Sequence, residues 1–125
     1  MAERGDFTGL VVEDEWLLRL ELAEELTGAG WQILEAASGD EAVEKLGTAP
    51  RIDFLLTDIR LPGQLDGWAV ADAVRRVYPQ APVIYVSANP IHQERQVAGS
   101  IFLGKPVNIR QLLEACDRLV GPKER

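Results

Sequence analysis

The chain has 125 residues, 46% apolar and 26% charged, the size and balance of one globular domain with its own core. Thirteen Lys and Arg against twenty Asp and Glu give a formal net charge of −7, a field that repels nucleic-acid backbones and anionic lipid. A single cysteine, Cys116, and a single histidine, His92, exclude an internal disulfide and leave too few soft ligands for zinc.

Residues 1–7 carry Glu3, Arg4 and Asp6 without an apolar run, so no signal peptide is expected. The longest uncharged stretch, 77–93, contains Pro79, Pro82 and Pro90 and does not suit a membrane helix. A cytoplasmic location is the expectation, with no membrane and no nucleic acid as partner.

Turn signals then separate two kinds of segment. Leu10-Val11-Val12 reads as a buried strand. Glu15 to Thr27 reads as a helix with Leu18, Leu22 and Leu26 in one stripe, ended by Gly28 or Gly30. Gln32 to Ala36 is a second, less uniformly apolar strand. Ser38-Gly39-Asp40-Glu41 has capping-box spacing and opens a helix through Leu46. Phe54-Leu55-Leu56 is a third strand. Gly67 to Tyr78 places Val70, Ala73, Val74 and Val77 on one helical face, and Pro79 stops it. Val83 to Val86 is a fourth strand. The polar segment Pro90 to Ser100, with Val97 and Ala98 as weak anchors, predicts a short or irregular helix. Ile101-Phe102-Leu103 is a fifth strand. The last helix has Ile109, Leu112, Leu113, Cys116, Leu119 and Val120 in one stripe, with Asn108 as N-cap.

Alternation of this kind predicts an open parallel sheet with helices on both faces. Ligands of such sheets bind beyond the C-terminal strand ends. At those ends stand Glu13 and Asp14, then Thr57 and Asp58, then Ser87, then Lys105 followed by Pro106. Clustered carboxylates repel one another, and a hard cation relieves the repulsion; oxygen-only ligands favour Mg²⁺. Lysine and hydroxyl suit phosphoryl oxygens, and a carboxylate can be the nucleophile. Gly99 to Pro106 is a near miss to a phosphate loop, but proline offers neither hydroxyl nor N–H.

Five segments, VVEDE at 11–15, LLTDIRLPG at 55–63, DGW at 66–68, VSA at 86–88 and FLGKP at 102–106, stand in order at these strand ends. Through them the chain resembles the CheY-like receiver domain of two-component response regulators, from about Thr8 to Leu119. The resemblance implies a flavodoxin-like sheet of order 2-1-3-4-5 and a single-domain receiver over 1–125, its core at about 8–120.

It further implies Asp58 as phosphoacceptor for a histidine kinase or phosphotransfer protein. Mg²⁺ would be held by Asp14, Asp58, the backbone carbonyl of Arg60 and, through a water, Glu13. Ser87 and Lys105 would bind the phosphoryl group, Phe102 stands at the switch-aromatic position, and Lys105-Pro106 is expected to be cis. Glu13 replaces a common aspartate, the 61–67 turn is one residue longer than usual, and the stretch from Ser87 to Lys105 is a few residues short. With no output module after residue 120, output is expected through a protein partner on the 90–120 face.

Two other classes remain open. A Mg²⁺-dependent phosphohydrolase with an aspartyl nucleophile would need a second acid two residues on, where Arg60 stands instead. A pseudo-receiver that never phosphorylates is opposed by the intact set Asp14, Asp58, Ser87 and Lys105. A non-enzymatic switch is therefore expected.

Overall fold

The structure is a computed structural model that describes residues 7–88 and 95–120. The elements are β1 (Thr8–Val12), α1 (Trp16–Gly28), β2 (Gln32–Ala36), α2 (Gly39–Thr48), β3 (Phe54–Asp58), α3 (Gly67–Val77), β4 (Val83–Ser87), β5 (Ile101–Gly104) and α4 (Ile109–Val120). The strands form one sheet in the order β2-β1-β3-β4-β5, and every neighbouring pair is parallel. This is the doubly wound architecture that the alternating pattern predicts.

The apolar runs explain which strands are central. β1, β3 and β4 are buried almost throughout, whereas the edge strands β2 and β5 are largely half-buried. Successive side chains leave opposite faces of a strand, so β4 sends Ile84 and Val86 to one core and Val83 and Tyr85 to the other. The first core adds Leu22 and Leu26 of α1 and Leu112 and Cys116 of α4. The second adds Ala42 and Leu46 of α2 and Val70 and Val74 of α3. Each fully buried Leu, Ile or Val among them contributes about 1.5–3 kcal/mol of transfer free energy.

Local chemistry fixes the helix starts. Ser38 Oγ accepts from the Glu41 amide at 3.0 Å, and Glu41 Oε1 accepts from the Ala37 amide at 2.6 Å. Asp66 caps α3 through the Ala69 amide at 2.9 Å, and Asn108 caps α4 through the Gln111 amide at 3.0 Å. The stripe of α1 is as expected, yet Trp16 and Leu17 stand in solvent at 65% and 62% exposure. Val77, expected on the buried face of α3, is also exposed, because it is the last helical residue. Trp31 belongs to the core, edge-on to Phe54 with ring centroids 5.1 Å apart.

Between β4 and β5, residues 95–100 form turns rather than helix; residues 89–94, with Pro90 and His92, lie outside the described residues. Aromatic side chains cover the sheet there. Trp68, Tyr85 and Phe102 form a cluster with centroid separations of 4.8, 5.1 and 6.0 Å. Val97 packs onto the same core, and its amide donates to the Tyr85 hydroxyl at 3.2 Å. Arg75 donates to the carbonyls of Ala81 and Ala98, both at 2.7 Å. The weak apolar content of 95–100 is sufficient because α3 and β4 supply the anchors.

Candidate functional site

The three acids reach the C-terminal edge of the sheet by different routes. Glu13 and Asp14 leave the end of β1, and the Glu13 amide donates to the Ala36 carbonyl of β2 at 3.0 Å. The Glu13 side chain then turns inward, only 2% of it exposed, whereas Asp14 faces solvent. Asp58 is the last residue of β3, its side chain 12% exposed. One ligand oxygen from each of Glu13, Asp14 and Asp58 can be chosen so that all lie within 4.8 Å of one another.

Lys105 completes the group from the position just after β5. Its amide donates to the Ser87 carbonyl at 2.9 Å, which holds the two strand ends together. Its Nζ donates to Asp58 Oδ2 at 2.8 Å and lies 3.2 Å from Glu13 Oε1. The second contact is an ion pair, and Glu13 Oε1 is otherwise buried without a hydrogen-bond partner among the described residues. Glu13 Oε2 accepts from the Glu15 amide at 3.0 Å, and Asp58 Oδ1 from the Ile59 amide at 2.7 Å. The Lys105-Pro106 peptide is cis, as expected.

Electrostatics follow from this packing. Burial pushes the Glu13 carboxyl above its ordinary 4.5; the Glu15 amide pulls it down, the Asp58 charge raises it and Lys105 lowers it, with a net rise. Burial pulls the Lys105 ammonium down, but hydrogen bond and charge from Asp58, then Glu13, outweigh it and leave it above its ordinary 10.5. Lys105 therefore stays charged while holding two acids that would otherwise repel.

The other expected residues are placed by register and sequence. Asp58 pairs with Val86 and Ser87 with Gly104, so Ser87 is one step further along β4 than the partner of Asp58. Arg60 is exposed in the turn two residues past Asp58. Phe102 is not at the acids; it packs in the aromatic cluster three residues before Lys105.

The sequence reading missed two contributors. The Gly67 amide donates to the Ile59 carbonyl at 2.7 Å, and a Cβ at Gly67 would lie 2.2 Å from the Asp58 carbonyl oxygen. Only glycine lets α3 start against the strand end. Arg19 of α1 donates from Nη1 to the Glu13 carbonyl at 2.9 Å. A cation in the early turns of a helix, where the dipole disfavours it, was the available signal.

A hard divalent cation fits the arrangement: the donors are all oxygen, Asp14 keeps the group open to water, and Glu13 presents a buried oxygen engaged, among the described residues, only by its ion pair with Lys105. No helix of the described residues is long and apolar enough to cross a membrane.

Comparison with known proteins adds an independent line. Residues 10–117 match the family model described as the response regulator receiver domain. The chain is 33% identical over 118 residues to the DNA-binding transcriptional regulator NtrC of Klebsiella pneumoniae, covering 89% of this chain and 24% of that protein. It is 33% identical over 116 residues to the transcriptional regulatory protein PdtaR of Mycobacterium tuberculosis, covering 90% and 56%. The chain thus spans about a quarter and just over half of these two relatives. A response regulator receiver protein from Sinorhizobium medicae superposes with a TM-score of 0.82 at 34% identity, covering 91% of this chain and 94% of that one.

Proposed function

This chain belongs to the response regulator receiver domain family, and we propose that it is a phosphorylatable switch whose acceptor is Asp58. The observation that carries this is the position of the Asp58 carboxylate, 2.8 Å from the Lys105 ammonium and grouped with Glu13 and Asp14. Phosphoryl transfer demands positioning and charge neutralisation more than covalent chemistry, and those are what this edge offers.

A carboxylate oxygen of Asp58 attacks phosphorus, the bond from phosphorus to a donor histidine nitrogen breaks, and the imidazole keeps that electron pair. Asp14, Asp58, the Arg60 carbonyl and Glu13 would hold Mg²⁺, which would supply charge neutralisation for the transferring oxygens. Lys105 pairs with one phosphoryl oxygen, and the Ser87 hydroxyl donates to another. Both residues sit at the ends of strands whose earlier residues, Tyr85 and Phe102, hold the aromatic cluster. Drawing Ser87 and Lys105 toward the phosphoryl group thus biases the face around 95–120 between two populations. A protein partner reads that face, and the 90–94 portion of the face lies outside the described residues.

The exposed apolar residues Trp16, Leu17 and Leu20 begin two residues beyond Asp14. They suit the docking of the phosphodonor, a histidine kinase or phosphotransfer protein, in the cytoplasm.

The test is a titration of intrinsic fluorescence with beryllofluoride and Mg²⁺, with Trp16 as the nearby reporter. We expect a saturable change that needs both components and is absent in Asp58→Asn. An unchanged spectrum in the wild-type chain, or an equal change in Asp58→Asn, overturns the assignment.

A further inference from the structure

Arg19 is buried more deeply than a surface cation needs to be. Its side chain is only 20% exposed, and its two bonds reach out of the helix rather than along it. Nη1 donates to the Glu13 carbonyl at 2.9 Å, and Nε donates to Glu35 Oε1 of β2 at 3.3 Å. The Glu35 backbone is held in turn, its carbonyl accepting from Lys45 Nζ of α2. On its other side, Glu13 donates its amide to the Ala36 carbonyl at 3.0 Å. The two backbone groups of Glu13 are therefore held from two directions, one by β2 and one by α1.

That grip matters because of what the residue carries. Glu13 and Asp14 are consecutive, yet both carboxylates must reach the same point although like charges repel. The side-chain directions of both depend on the peptide between them, and its carbonyl is the one Arg19 holds. Charge-assisted bonds of this kind are roughly twice as strong as neutral ones. A planar fork can serve the carbonyl and Glu35 together, which a single ammonium cannot do as well.

We propose that Arg19 is a positioning residue for the cation-binding acids: its bond to the Glu13 carbonyl holds the Glu13 and Asp14 carboxylates convergent before a cation arrives. The inference rests on the assignment of these acids to Mg²⁺ and adds a residue to it. The bond to Glu35 anchors the guanidinium, and the bond to the Glu13 carbonyl does the positioning.

The test is calorimetric titration of the full chain with Mg²⁺ alone, beside thermal melts of each variant. Arg19→Met is expected to weaken Mg²⁺ binding about tenfold, equivalent to about 1.4 kcal/mol. Arg19→Lys falls between Met and wild type, and Glu35→Gln, which leaves the carbonyl bond in place, stays within about twofold of wild type. Ala23→Gly, on the buried face of the same helix, is the stability control: it lowers the melting temperature and leaves the affinity unchanged. If Arg19→Met does not fold, the Lys and Glu35→Gln pair carries the comparison. Equal affinities across wild type, Lys and Met overturn the inference, as does an Ala23→Gly loss as large as theirs. A wild-type chain that takes up no Mg²⁺ refutes the cation assignment itself, and this inference with it.

Discussion

Replacing Lys105 by methionine removes the cation that lies against both Glu13 and Asp58 while keeping most of the side chain's length. Nζ lies 2.8 Å from Asp58 and 3.2 Å from Glu13. At an effective dielectric constant of 20, each attraction is about 5–6 kcal/mol. Desolvation of the ammonium and of both carboxylates offsets most of that. The side chain is one-quarter exposed, which screens it further, so a net loss of about 2–3 kcal/mol is expected. For a domain of this size that is a fall in melting temperature of about 8–12 °C.

The pH dependence has a definite sign. The Lys105 ammonium is held above its ordinary 10.5, so its contribution is complete below that pH and is lost as the pH climbs past it. The deficit should therefore be full at pH 7. A cation added in excess takes over the missing charge, so Mg²⁺ should raise the variant's melting temperature more than the wild type's. Melts at pH 7 with and without Mg²⁺ measure both quantities. A variant that melts with the wild type in the absence of Mg²⁺ would refute the claim that Lys105 balances the acids.

The other predictions address single features of the same edge. Glu13 has its carboxyl pushed above its ordinary 4.5, so its ionisation opposes folding as the pH rises through and beyond that value. Glu13→Gln should melt higher than wild type at pH 7, lose that advantage below pH 4.5 and respond less to Mg²⁺, as calorimetric scans will show. Gly67→Ala forces a Cβ to within 2.2 Å of the Asp58 carbonyl; the strain costs about 1–3 kcal/mol, and melts should fall while labelling by acetyl phosphate slows. Trp16→Ser with Leu17→Ser removes exposed apolar surface. It should leave stability within about 1 kcal/mol and labelling by acetyl phosphate unchanged, while lowering phosphotransfer from a kinase about tenfold, measured by radiolabel.

Much of the fold was legible because its signals are strong and local. The apolar runs at 10–12, 54–56 and 83–86 are short, continuous and bounded by turn residues, and they are the three central strands. Ser38, Asp66 and Asn108 bond the amides that open their helices. The acids and Lys105 were legible because each stands within two residues of the end of an apolar run, and a parallel sheet brings such positions to one edge. The segment at 95–100 was not, since its anchors come from elsewhere: the Tyr85 hydroxyl on β4 accepts from the Val97 amide, and Arg75 on α3 donates to the Ala98 carbonyl. Trp31 could not be placed by pattern either, because its burial depends on Phe54, more than 20 residues away. Arg19 was overlooked because its partners, a carbonyl in a loop and a side chain on an edge strand, have no signature in sequence.

The central claim is that Asp58 takes up a phosphoryl group at this edge. Incubation with acetyl phosphate and Mg²⁺, followed by intact-mass and peptide analysis, measures it most directly. One phosphoryl group per chain is expected, carried on the peptide containing Asp58 and abolished by chelation of Mg²⁺ and by Asp58→Asn. Labelling that persists in Asp58→Asn, or that is absent from the wild-type chain at saturating Mg²⁺, would contradict it.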